Sequence, residues 1–186
     1  MLLLDRQPHL YGDLLELRPM RAGDWDELFA VASDPLIWEQ HPAFDRYQEQ
    51  VFREYFREGL ESGGGLVAID RSTTRIVGAS RYFWNGPNGD ELEIGWTFLA
   101  RTLWGGRYNL EMKRLMLEHA FRAVDRVIFV VGADNVRSRR AMLKIGGVLT
   151  SRRVATVLHG RSVESVVFEI RKSDWEAGPC HSTGMD

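Results

Sequence analysis

Two glycines, Gly105 and Gly106, stand between an apolar run that ends at Leu99 and a segment of helical spacing that begins at Tyr108. A helix starting there leaves its first backbone N–H groups without intrahelical partners. Together with the aligned peptide dipoles they favour an anion such as phosphate in front of them, and glycines leave such a ligand room. The same pair also suits a plain strand-to-helix turn, and the residues alone leave both readings open. On the preceding strand, Glu91 and Glu93 alternate with Leu92 and Ile94, the pattern of outward-facing carboxylates. Asn135 stands three residues before Ser138 at the head of another helical segment, where asparagine is a good N-cap. Arg137, Arg139 and Arg140 read as a solvated face of that helix. The five dispersed histidines show no close pair at ligand spacing, so no metal site is expected.

The elements that must position these residues follow from periodicity. A short strand at 14–18 precedes a helix at 24–32, which Asp34-Pro35 stops. A second helix at 46–60 ends in the flexible stretch Ser62-Gly63-Gly64-Gly65. Strands at 66–69, 76–84 and 92–99, separated by turn clusters at 70–74 and 85–90, should pair as an antiparallel meander. The helix 108–123 puts Tyr108, Met112, Leu115, Met116, His119 and Ala120 on one core-facing side. The continuous apolar run at 127–131 reads as a strand covered on both faces. A helix at 136–144 ends at Gly146-Gly147, and strands at 148–157 and 162–170 join across His159-Gly160. The expectation is one mixed α/β domain over residues 1–172, with a disordered tail at 173–186.

Composition sets outer bounds. A chain of 186 residues and 21.3 kDa, 44% hydrophobic, can bury one substantial core. No apolar run approaches the roughly 18 residues that span a bilayer, and Met1–Leu4 followed by Asp5 and Arg6 lacks the order of a secretory signal. A cytoplasmic location is expected, and the single Cys180 excludes an internal disulfide. Net charge −2 and a pI near 6.2 argue against nucleic acid or membrane as partner.

Three segments carry a family resemblance: LELRPMRAGDWDELFAV, EIGWTFLARTLWGGRYNLEMKRLMLEHAF and DNVRSRRAMLKIGG. In order and spacing they resemble the GNAT superfamily of acetyl-CoA-dependent N-acetyltransferases, over about Leu15 to Ile170. The nearest branch is similar to the ribosomal-protein N-terminal (alanine/serine) acetyltransferases. The resemblance implies a mostly antiparallel mixed sheet with a V-shaped splay between its central strands and helices on both faces. It implies acetyl-CoA as co-substrate, an amine acceptor (a protein N-terminus or small amine), and a monomer or homodimer. The alternative is a non-catalytic CoA-binding or regulatory module on the same scaffold.

Site residues follow from the resemblance position by position. Pyrophosphate would lie on the loop Thr102, Trp104, Gly105, Gly106, Arg107, Tyr108 and Asn109. Pantetheine would lie along Thr97, Phe98 and Leu99 on a bulged strand, and beside Asn135, with Arg140 near the adenosine phosphate. Glu93 would be the general base. Ser138 would be the acid for the departing thiolate, because the tyrosine many relatives carry is Met142 here. Arg107 is the clearest departure, since the family has a small residue there; its side chain either crowds the loop or pairs with a phosphate. An α-amine of pKa about 7.7–8.0 is roughly 10–20% neutral at pH 7, while lysine needs about 3.5 kcal/mol more deprotonation. A weak base therefore favours α-amines. On the acceptor side the sequence places 38–44, 83–88 and 157–161.

Overall fold

A computed structural model describes residues 4–85 and 91–176. The expected turn at 85–90 lies largely outside them, as do most of the tail and Cys180. Eight strands form one sheet in the order β1-β2-β3-β4-β5-β6-β8-β7: β1 Leu10–Tyr11, β2 Leu15–Pro19, β3 Gly65–Asp70, β4 Arg75–Asn85, β5 Glu91–Leu99, β6 Arg126–Gly132, β7 Val148–Leu158 and β8 Arg161–Arg171. The meander β3-β4-β5 is antiparallel, as its spacing predicts. Among the described residues β5 and β6 are the one parallel pair, and they meet only at Leu92↔Val127 and Glu93↔Ile128. Beyond Glu93 the two strands part, so the β6-facing edge of β5 is left open.

Helices cover both faces. On one face α1 (Trp25–Ala32), α2 (Pro35–Trp38) and α3 (Glu49–Glu61) pack an aromatic core of Trp38, Phe52, Tyr55, Phe56 and strand residue Phe98. α3 buries Phe52, Tyr55, Phe56 and Gly59 at spacings of three and four, while its outer face carries Arg–Glu pairs. On the other face α4 (Tyr108–Ala120) sets Met112, Met116 and Ala120 against Leu15, Leu66, Tyr82 and Phe129. α5 (Val136–Lys144) follows β6.

Several expectations need correction. Pro35 opens α2 as well as ending α1, because Asp34 accepts the Leu36 N–H and a proline fits the first helical position. The stretch Ser62–Gly65 is a held turn: Gly64 accepts from the Tyr82 N–H at 3.0 Å, and Gly65 already belongs to β3. α4 stops at Ala120, three residues early. His119 is half-buried, with Nε2 2.7 Å from the Asp5 carbonyl. The ordered chain runs past Lys172 into α6 (Lys172–Glu176), which buries Trp175 against Phe121. That short helix has too few periodic residues to be read from spacing.

Candidate active site

β5 carries a bulge where the sheet divides. Ala79 pairs with Phe98 and Arg81 with Gly95, so Ser80 alone opposes Trp96 and Thr97. Trp96 takes a left-handed φ of 52°, which turns the local backbone. A polar cluster lies beneath it. Ser80 Oγ and Thr97 Oγ1 are 2.7 Å apart, and the Lys113 ammonium donates to Thr97 Oγ1 at 2.5 Å. Lys113 is 2% exposed, and burial lowers its pKa to about 7. Sequence reasoning missed Lys113. It stands three residues before Met116 and four before Leu117, on the buried side of α4, and that spacing was the available signal.

Glu93 is not an outward-facing strand charge. It is 5% exposed and sits at the last paired position before β5 and β6 part. Asn85 Nδ2 donates to Glu93 Oε2 at 2.7 Å, and the Val130 backbone on β6 hydrogen-bonds the carboxylate. Both contacts favour the charged form, as does nearby Arg81, yet burial outweighs them and raises the pKa to about 7. Gly95 makes room for this side chain, since a Cβ there would stand 2.8 Å from Glu93 Oε1. Glu91, two residues earlier, is partly buried and pairs with Arg126 and Arg152.

Around Glu93 the face of β4 and β5 turned towards α3 is aromatic and cationic. Arg81, 4% exposed, donates to the Tyr55 carbonyl, and its guanidinium stands 4.6 Å from the Trp96 ring and 5.6 Å from the Tyr55 ring. Tyr55 Oη donates to the Trp96 carbonyl at 2.6 Å. Phe83 and Trp96 rings lie 5.4 Å apart. The loop after α2 meets the β7–β8 turn, with the Phe44 ring 5.3 Å from that of His159. Two segments expected on the acceptor side are thus brought together. Tyr55 comes from α3, Arg81 from β4, and His41 and Arg46 from the loop between α2 and α3, and no motif announces them.

The glycine loop lies at the other end of β5. Thr102 sits in a 3₁₀ turn, Arg101–Leu103, and is exposed. Trp104 anchors the loop by donating from Nε1 to the Leu99 carbonyl at 3.0 Å. Gly105 has φ +74°, a left-handed conformation that favours glycine, and a Cβ there would meet nothing within 4 Å. The first helical bond of α4 runs from the Glu111 N–H to the Arg107 carbonyl, so the N–H groups ahead of it lack intrahelical acceptors. Open space, free donors and the positive end of a helix dipole fit a pyrophosphate. Glu111 is a support from behind: its carboxylate accepts the backbone N–H groups of Asp13, Leu14 and Leu15 at 2.7–2.9 Å. Arg107 is exposed, and among the described residues its side chain makes no hydrogen bond or ion pair.

The α5 residues divide into two groups. Asn135 is buried and caps the helix, its Oδ1 accepting the Ser138 N–H at 3.0 Å, while Ser138 itself is half-exposed. Arg140 is exposed. Arg137 is not solvated as expected. It stacks 4.1 Å from the Trp104 ring, pairs with Glu39 at 3.1 Å and donates to the Ile37 carbonyl, joining α5 to the glycine loop and α2. Among the described residues no group of three or more His, Cys, Asp or Glu could hold a metal ion, and no helix is long and apolar enough to cross a membrane.

The divided sheet, the bulged strand and the helix N-terminus after a glycine turn define an acyl-CoA transferase scaffold. The model of the acetyltransferase (GNAT) domain family matches residues 15–148, and the chain belongs to that family. It is therefore an acyltransferase whose acetyl donor is acetyl-CoA. Solved structures share the fold at low identity. A GCN5-related N-acetyltransferase from Brucella melitensis is 22% identical, with TM-score 0.76 over 92% of this chain and 81% of that one. A GNAT-family acetyltransferase from Bacillus anthracis is 17% identical, with TM-score 0.72 over 89% and 99%. Mycobacterium smegmatis RimJ in complex with CoA-disulfide is 17% identical, with TM-score 0.71 over 96% and 95%. A search of curated proteins finds no match.

Proposed function

We propose that the protein acetylates the α-amine of a protein N-terminus or small molecule by direct attack on the thioester, with Glu93 as general base. The observation that carries this reading is a buried carboxylate of pKa about 7 at the point where β5 and β6 separate. A base of that strength is matched to neutral pH. It also suits an α-amine of pKa about 7.7–8.0 better than a lysine near 10.4.

Acetyl-CoA supplies an activated acetyl group on a good leaving thiolate. The N–H groups at Gly105–Asn109 would hold its pyrophosphate, with Thr102 and Trp104 shaping the loop, and the open edge at Thr97, Phe98 and Leu99 would hold the pantetheine. Asn135 would shape the same channel through α5, and Arg140 would face the adenosine end. Glu93 takes the proton that the amine loses as its nitrogen forms the new C–N bond. Bulge N–H groups near Thr97 would stabilise the oxyanion, and Ser138 would supply a proton to the sulfur when the C–S bond breaks. One domain up to Lys172 or a little beyond carries all of these groups.

A thiol-release assay with acetyl-CoA against a panel of primary amines tests the reading. Release above the hydrolysis background with α-amines, and much less with lysine side-chain analogues at pH 7, is the expected result. Release with none of them would overturn it. Acetyl-CoA at one hundred times its dissociation constant should also stabilise the fold by about 2.7 kcal/mol, and no thermal shift at millimolar concentration would count against the cofactor site.

A further inference from the structure

His41 and Arg46, both in the loop between α2 and α3, confront one another in a way their chemistry does not satisfy. The Ala43 backbone N–H donates to His41 Nδ1 at 2.9 Å, so Nδ1 is an acceptor and the neutral ring carries its proton on Nε2. Arg46 Nη1 stands 3.4 Å from that Nε2. A guanidinium is only a donor, so two donors face one another across a gap with no acceptor between them. Taking a proton would make the imidazole a worse neighbour, and burial, followed by the charge of Arg46, holds it neutral by pushing its pKa down to about 3.

No carboxylate among the described residues lies within ion-pair distance of Arg46. Its other close neighbours are rings, Tyr55 at 5.2 Å and Trp38 at 5.6 Å from the guanidinium carbon. Of the carboxylates nearby, Glu39 pairs with Arg137 and Glu58 faces Arg81 at 3.6 Å. Asp45 Oδ1, 3.3 Å from His159 Nε2, is buried without a hydrogen-bond partner among the described residues, and Asp45 and Glu58 act on Arg46 through their charge without pairing with it. Both His41 and Arg46 remain partly accessible. The pair belongs to the acceptor face, because Tyr55, which carries Arg46 against its ring, also neighbours Arg81 and donates to the bulge carbonyl of Trp96.

We propose that His41 Nε2 and Arg46 form an anion subsite that takes a carboxylate of the acceptor, so that the substrate is an α-amine bearing a carboxylate. This rests on the transfer reading above. An anion placed there accepts from both donors and turns a repulsive contact into a bridged one. Such a carboxylate comes either from a free amino acid or from an acidic side chain near a peptide N-terminus.

The test uses matched acceptors in the thiol-release assay: alanine against alaninamide, and Ser-Asp-Ala amide against Ser-Asn-Ala amide. For each pair the preference is the ratio of kcat/KM values, compared between the wild type and Arg46→Met, so that differences in amine basicity cancel. The preference for the carboxylate should fall at least tenfold in Arg46→Met in one pair, and that pair identifies the source. His41→Phe should lower it in the same direction. Retention of the acetyl-CoA thermal shift certifies that each variant is folded. An unchanged ratio in both pairs with folded variants would overturn the subsite. If no acceptor is turned over at all, the transfer reading fails instead. Calorimetric titration with the same pairs then still decides the subsite: tighter binding of the carboxylate member that Arg46→Met abolishes upholds it, and equal binding of both members overturns it.

Discussion

The two ends of β5 solve opposite problems. At the Gly105 end the groups aimed at a ligand are backbone N–H donors in an exposed loop, and side chains are absent, solvated or packed behind. Around Glu93 the groups are side chains, buried and packed against one another, with Arg81, Tyr55, Trp96 and Asn85 contributed by β4, α3 and β5. A site made of backbone depends on conformation and tolerates changes of side chain. A site made of buried side chains depends on identity, because each charge there is held only by its neighbours.

The sharpest way to test this contrast is to change identity without shape. Glu93→Gln keeps volume and the Asn85 neighbour, and it should lower kcat by roughly 10²-fold or more at neutral pH. Acetyl-CoA affinity in titration should hardly change. Turnover equal to that of the wild type would remove Glu93 from the chemistry.

Changing conformation is the matching experiment at the other end. Gly105→Val places a β-branched side chain at φ +74°, a strain of about 1–2 kcal/mol that the loop can relieve only by moving its N–H groups. The chain should remain folded, with acetyl-CoA bound about tenfold or more weaker. Unchanged affinity would show that the glycine turn does not shape the cradle.

Lys113 extends the comparison to stability. Its folded pKa of about 7 lies below the ordinary 10.5, so between those values the unfolded chain binds more protons and stability rises with pH. Glu93 has the opposite sign: its pKa is raised from 4.5, and stability falls as pH rises from there to about 7. Lys113→Met should flatten the alkaline rise and stabilise the fold at pH 7 by roughly 1–3 kcal/mol in denaturant unfolding. A destabilised variant would mean that the bond to Thr97 outweighs the cost of burying the amine.

Arg107→Ala should do least. Its side chain is exposed and unpaired among the described residues, and the helix N-terminus already supplies donors. Acetyl-CoA affinity should hold or improve, and weakening beyond tenfold would show that the guanidinium reaches the pyrophosphate.

The same contrast explains what could be read in advance. The meander, the glycine turn, α4, α5 and the asparagine cap are local patterns, and the sequence carries them at fixed offsets. Glu93 was identified as the base candidate through resemblance, but its burial was not legible, because alternation with Leu92 and Ile94 describes an exposed strand equally well. Its environment depends on β6 meeting β5 for two residues only, a fact of topology. Lys113, Arg81, Arg46 and His41 were missed for the same reason: a charged residue reads as solvent-facing until distant elements close over it. The end of the fold was misjudged because one tryptophan, Trp175, holds α6 in place.

The most direct test of the account is the pH dependence of kcat/KM for acetyl transfer in the wild type and in Glu93→Gln. The wild-type rate should rise through an inflection near pH 7 from Glu93, distinct from the acceptor amine at about 7.7–8.0. The variant should lose the lower inflection and keep the upper one. The same two inflections in both proteins would contradict the assignment of Glu93 as the base.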